Sequence, residues 1–150
     1  PLIRRHTMMG FQYALINSFA EREKRTIIST SINSELYSGL FCMNTLLGEI
    51  CLLADLYKTQ VYQLARYLNL PDKITNKPSH DGIQGDPTDE EMLGMPFPKF
   101  DVLSYLLKER KMSVRRVSRK FGYQTETLKE LKDDIDKNEA TLKFPLLKLR

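Results

Sequence analysis

The sequence predicts an α/β fold in which a parallel sheet with flanking helices gives way to a helix-rich C-terminus. Two short apolar runs, Thr26-Ile27-Ile28-Ser29 and Glu49-Ile50-Cys51-Leu52-Leu53, are each followed by a helical pattern. Strand then helix, twice over, is the grammar of a parallel sheet whose ligands bind beyond the carboxyl ends of the strands. The last third of the chain carries helical spacing only. With 150 residues, 41% apolar and 28% charged, the composition suits one globular domain. Two strands cannot complete such a sheet, so further strands are expected from a partner chain or from an N-terminal portion outside this sequence.

Each element follows from local pattern. Met8, Phe11, Leu15 and Phe19 recur at helical spacing, Glu21 to Arg25 make a turn, and residues 26–29 read as a short buried strand delivering Thr30 to a loop. Asn33 or Ser34 is placed to cap a helix through Leu36, Leu40 and Phe41, and residues 49–53 form the second strand, ended by Asp55. Tyr57, Val61, Leu64, Ala65 and Leu68 form an apolar stripe opposite Lys58, Gln63 and Arg66, with Pro71 as the stop. From Thr75 to Met95, Pro78, Gly82, Gly85, Pro87 and Gly94 break any long element, leaving a loop with one short acidic helix, Asp89 to Leu93. Three helices follow: Val102–Leu107, Val114–Phe121 and Glu126–Asp136.

Charge and cysteine usage narrow the function classes. The net charge is +4, but the stretch from Lys108 to Lys120 holds seven Lys or Arg against a single Glu109. Such a face is either a solvated helix surface or a site for a polyanion. Cys42 and Cys51 sit among apolar neighbours and read as buried free thiols in a reducing, cytoplasmic compartment; neither has the basic neighbour that would make it a nucleophile. No apolar run approaches the roughly 20 residues of a membrane span. His6 and His80 give no metal-ligand spacing, so no zinc is expected.

Three segments carry polar groups at the edge of an expected helix or turn: Thr30-Ser31-Ile32-Asn33-Ser34-Glu35-Leu36, Asp55-Leu56-Tyr57-Lys58-Thr59-Gln60-Val61, and Lys77-Pro78-Ser79-His80-Asp81-Gly82. Placement at helix N-termini suits a polyanion, because unpaired N–H groups and the positive dipole end face outward there. Taken singly, each residue has a plainer role: Lys58 as a solvated helix lysine, Thr30 as a strand-end hydroxyl, Glu35 as a carboxylate favouring the helix dipole.

Together, Asp55 to Val61, Leu64-Ala65-Arg66-Tyr67-Leu68, Pro71, Lys77-Pro78-Ser79 and Thr88-Asp89-Glu90-Glu91-Met92-Leu93-Gly94 resemble, in order and spacing, the C-terminal half of the NAD synthetases. These are members of the N-type ATP pyrophosphatase superfamily, with a Rossmann-like, adenine-nucleotide alpha-hydrolase-like fold. The likeness runs from about Arg5 to Leu107. It implies that residues 1–150 are a single domain, the C-terminal portion of a synthetase domain whose N-terminal phosphate-loop half is absent, so that the isolated chain is inactive.

The resemblance further implies the chemistry: ATP adenylates deamido-NAD, pyrophosphate leaves, and ammonia, from solution or from a glutaminase, displaces AMP, with Mg2+ assisting. It assigns Thr30, Lys58 and Ser79 to ATP, Glu35 to magnesium, and Arg5 and Glu49 to deamido-NAD, and it implies a homodimer. The chain departs from the family at Cys42 to Gly48, where Met43 stands for a substrate-contacting lysine and cannot hold an anion. Two alternatives stand beside this reading. One is a non-catalytic binding or structural relative. The other is a DNA-binding helix-turn-helix at 112–135, which the acidic Glu130, Asp133 and Asp134 oppose.

Overall fold

The computed structural model describes residues 2–40, 48, 50–80 and 87–141, with backbone alone at 2–6 and 141. Its element order is α1 (Leu2–Arg22), β1 (Ile28–Ser29), α2 (Asn33–Ser38), β2 (Ile50–Cys51), α3 (Lys58–Tyr67), α4 (Asp72–Thr75), α5 (Asp89–Leu93), α6 (Phe97–Ser104) running into a π-helical turn (Tyr105–Glu109), α7 (Val114–Phe121) and α8 (Thr125–Thr141). The strands pair in parallel, Ile28 opposite Ile50 and Ser29 opposite Cys51. The strand-helix alternation read from the sequence is therefore present, with a small parallel sheet in a helix-rich α/β chain.

Boundaries moved for identifiable reasons. α2 ends at Ser38 rather than running on through Leu40, because Gly39 adopts the left-handed conformation (φ 73°) and its N–H returns to the Glu35 carbonyl. Neither Asn33 nor Ser34 caps it. Ile32 holds the cap position, while Asn33 and Ser34 lie inside the helix, their side chains serving other elements. The last helices are longer than expected: α6 begins at Phe97, where Pro96 and Pro98 occupy the entry at which a missing N–H costs nothing. Cys51 is a free thiol, half-buried rather than buried; Cys42 lies outside the described residues.

The core sits away from the sheet. One cluster packs Tyr37, Tyr57, Phe100 and Ile135; a second packs Leu103, Leu107, Val117 and Leu128. The first joins α2, α6 and α8, the second α6 and its π-helical turn with α7 and α8, and hydrogen bonds reinforce the first joint: Asn138 Nδ2 donates to the Tyr37 carbonyl at 2.9 Å and Tyr37 Oη donates to Glu109 at 2.9 Å. Lys108 bridges Asp136 and Glu139 at 2.6 and 2.5 Å, fastening the π-helical turn to α8. The sheet side is open. Phe11, Leu15 and Phe19 of α1 are 69%, 70% and 58% exposed, and Ile28, expected in a buried strand, is 55% exposed. Among the described residues, the two strands and α1 have nothing further to bury those side chains against.

α7 and α8 are joined through left-handed Gly122, as a helix-turn-helix would be, and Val117 and Leu128 face each other in the second cluster. The second helix presents Glu126, Glu130, Asp133 and Asp134 at exposed positions. That acidic face opposes phosphate contact along α8, whereas α7 exposes Arg115, Arg116 and Arg119; in the fold the pair packs on Leu103 and Leu107.

Gly48 packs against β1. A Cβ there would lie 2.5 Å from the Ser29 amide nitrogen and 3.0 Å from the Ile27 carbonyl. Gly48→Ala is expected to cost about 1–3 kcal/mol by forcing the strand aside, measured by urea denaturation.

Candidate functional site

The carboxyl end of β1, the first turns of α2 and α3, α1, Ser79 and the start of α5 enclose a cavity of about 520 Å³. Thr30, Glu35, Lys58 and Ser79 all line it. These are four of the six residues picked out from the sequence. The other two, Glu49 and the side chain of Arg5, lie outside the described residues. The volume falls within the range that small-molecule sites occupy, roughly 300–1,000 Å³.

Lys58 is the first residue of α3, and what holds that turn is a buried network. Ser34 Oγ, wholly buried, donates to Asp101 Oδ1 at 2.6 Å and accepts the Lys58 amide at 2.7 Å. Asp101 Oδ2 accepts the Thr59 amide at 2.9 Å and the Thr59 hydroxyl at 2.8 Å. Gln60 turns back to accept the Tyr57 amide at 2.8 Å. This corrects one expectation: the start of α3 does not offer free N–H groups to a polyanion, because side chains already satisfy them and a carboxylate already complements the dipole. An anion in the cavity must be met by the Lys58 side chain. Its ammonium stands over two rings, with Nζ 5.5 Å from the centre of Phe97 and 5.8 Å from that of Tyr62.

Glu35 reaches back to accept the Ile32 amide at 3.2 Å, which fixes its carboxylate beside the cavity. Ser79 Oγ donates to Asp89 Oδ2 at 2.5 Å, and the Asp89 amide donates to the Ser79 carbonyl at 2.9 Å, so the two ends of the 80–88 segment are tied together. Thr88 caps α5 by accepting the Glu91 amide at 3.2 Å, and Glu91 returns to the Thr88 amide at 2.7 Å. Buried Asp89 lines the cavity and was not among the expected site residues. In the sequence it reads only as the first acid of an acidic helix. Thr88 followed by Glu91 was the signal that fixes where that helix starts, and hence that Asp89 sits at its first position.

Burial pushes the Glu35 carboxyl above its ordinary value; the Lys58 charge and the Ile32 amide pull it down, and Asp89 pushes it up again. Two carboxylates thus feel each other with one lysine between them in charge terms, an arrangement that an added cation relieves. A glutamate whose folded-state value is raised holds its proton more tightly when folded, so its unfavourable contribution grows as pH rises through that value and fades below the unfolded one. Glu35→Gln is accordingly expected to melt at a higher temperature than the parent at neutral pH, with the gap closing as the solution is acidified below about pH 4. Thermal melts across pH check this.

Among the described residues no group of three His, Cys, Asp or Glu could hold a metal ion unaided. Magnesium does not require one: it takes one or two carboxylates, waters and the phosphates of its nucleotide. Glu35, with Asp89 beside it, fits that donor set.

Comparisons with known proteins bear on the chain's family and fold. The sequence model of the NAD synthase family matches residues 4–145. An NH(3)-dependent NAD(+) synthetase from Wolinella succinogenes is 34% identical over 96% of this chain and 54% of its own length. Another, from Thermococcus sibiricus, is 28% identical over 95% of this chain and 57% of its own. The chain spans about half the length of the curated relatives it matches. Among solved structures, an NMN synthetase from Francisella tularensis superposes with a TM-score of 0.74, and an NH3-dependent NAD synthetase from Campylobacter jejuni, in complex with nitrate, with 0.71. Each is 21% identical and covers 99% of this chain and 57% of the other, a likeness of fold. With sequence match and fold in agreement, the chain belongs to the NAD synthase family, matching its C-terminal half.

Proposed function

We propose that the cavity receives the polyphosphate of ATP with its magnesium ion, and that residues 1–150 supply one half of a synthetase domain with a Rossmann-like sheet. The reaction is the ATP-dependent amidation of deamido-NAD with ammonia. The observation that supports this reading is the meeting of Thr30, Glu35, Lys58 and Ser79 around one cavity from three separate segments.

Each side chain has a physical role in that scheme. A carboxylate accepts no nucleophile until one of its oxygens belongs to a good leaving group, and departing pyrophosphate needs its charge met by cations. Lys58 meets it as a point charge whose ammonium lies over the faces of Phe97 and Tyr62. Magnesium, when bound, spreads phosphate charge and favours departure of pyrophosphate. Glu35, with Asp89, holds that ion. Ser79 gives its proton to Asp89, so its lone pairs face the cavity until a ligand oxygen draws the hydroxyl round. Thr30, exposed at the rim beyond β1, offers a further hydroxyl. Arg5 and Glu49 belong to the deamido-NAD side of this scheme. The active form is a cytoplasmic homodimer containing the other half of the domain, with ammonia free or supplied by a glutaminase. Among the described residues no helix is long and apolar enough to cross a membrane.

Isothermal titration of ATP into the chain, with and without magnesium, tests the central step. One saturable site that weakens on chelation of magnesium is expected. Absence of saturable binding at millimolar ATP with magnesium would overturn the reading.

A further inference from the structure

The Ser34, Thr59 and Asp101 side chains form a closed unit. Asp101 belongs to α6, 67 residues from Ser34 and 42 from Thr59, and is only 4% exposed. One carboxylate oxygen takes the Ser34 hydroxyl of α2; the other takes both donors of Thr59 in α3. Ser34 in turn takes the Lys58 amide. The helix that carries Glu35 and the helix that carries Lys58 thus share one anchor, and Phe97, on the same helix as Asp101, places its ring 5.5 Å from the Lys58 ammonium.

We infer that Asp101 is a positioning residue that sets where the Lys58 ammonium stands relative to the Glu35 carboxylate. The inference deepens the nucleotide reading and rests on it for its consequence. A carboxylate is required at this place because every group facing it is a donor: Ser34 Oγ–H, Thr59 N–H and Thr59 Oγ1–H. An amide satisfies these in part, since its oxygen keeps Thr59 while its NH2 turns Ser34 into an acceptor. Alanine satisfies none and leaves buried donors without partners, which is why the anchor acts as a unit.

The test uses the whole chain with Asp101→Ala and Asp101→Asn, and Ser34→Ala as the variant that leaves the carboxylate in place. Two quantities are read: the separation of the Lys58 ammonium from the Glu35 carboxylate in crystal structures of the parent and of each variant, and the affinity for Mg·ATP.

Displacement of Lys58 should lengthen its separation from Glu35 in Asp101→Ala and should weaken Mg·ATP about tenfold. Ser34→Ala should shift both in the same direction, and Asp101→Asn should recover part of each. A folded Asp101→Ala or Ser34→Ala whose Lys58–Glu35 separation and Mg·ATP affinity match the parent overturns the inference. If the parent fails to bind Mg·ATP while Asp101→Ala still displaces Lys58, the anchor stands and the nucleotide reading falls. If the parent binds and neither quantity moves, the nucleotide reading stands and the anchor falls.

Discussion

Phe100→Ala is expected to destabilise the chain by about 3–5 kcal/mol, the usual result of emptying a fully buried aromatic site. Phe100 is 1% exposed and packs with Tyr37, Tyr57 and Ile135, with Leu93, Met95 and Leu131 around them. Tyr57 and Met95 reach it from the segments before α3 and between α5 and α6, but its helical neighbours are already fixed by the Asn138 and Lys108 contacts, so the space can close only in part. A domain of ordinary stability holds only about 5–15 kcal/mol, so the variant should lose a large share of it. In urea the midpoint should fall by about 2 M at the slopes typical of small proteins. Val102→Ala, two residues on and 52% exposed, is the internal comparison and should stay within about 0.5 kcal/mol. Equal midpoints for the two variants would show that the core lies elsewhere.

Lys58→Met should weaken Mg·ATP by about 10- to 100-fold, the worth of roughly 1.5–3 kcal/mol that charge-assisted hydrogen bonds carry. Methionine removes the ammonium from the faces of Phe97 and Tyr62, contacts worth about 0.5–1 kcal/mol, but leaves the α3 cap untouched, because Ser34 and Asp101 bind backbone at Lys58 and Thr59 rather than the lysine head. Thermal stability should therefore change little while binding falls. Arginine should not restore the parent affinity, since a planar fork cannot occupy the place of a compact ammonium between two rings without shifting them. Undiminished binding in Lys58→Met would remove the lysine from the site.

What could be read in advance was local. β1 and β2 were marked by apolar runs, α3 by its stripe, α5 by its length and flanking Thr88 and Gly94, and α7 to its terminal residues by Ser113 and Gly122. Each signal is contained within a few residues. The π-helical turn and the start of α6 were not legible, because a widened helix is decided by what it packs on: Leu107 seats in the second cluster and Lys108 is drawn to Asp136 and Glu139 across 28 and 31 residues. Nor was the fate of the α1 stripe. Phe11 and Leu15 have core-like spacing, yet spacing says only that residues share a face, and whether anything covers the face depends on the rest of the fold.

The site divides the same way. By residue type and order the sequence determined a family, and with it a hydroxyl at Thr30, an acid at Glu35, an amine at Lys58 and a hydroxyl at Ser79. Only the tertiary structure decided that these four line one cavity, that Asp89 joins them, and that the start of α3 is closed to anions by Ser34 and Asp101. The reason is physical: periodicity and capping are interactions over a few residues, whereas a hydrogen bond spanning 67 residues exists only once packing has placed both ends within 3 Å.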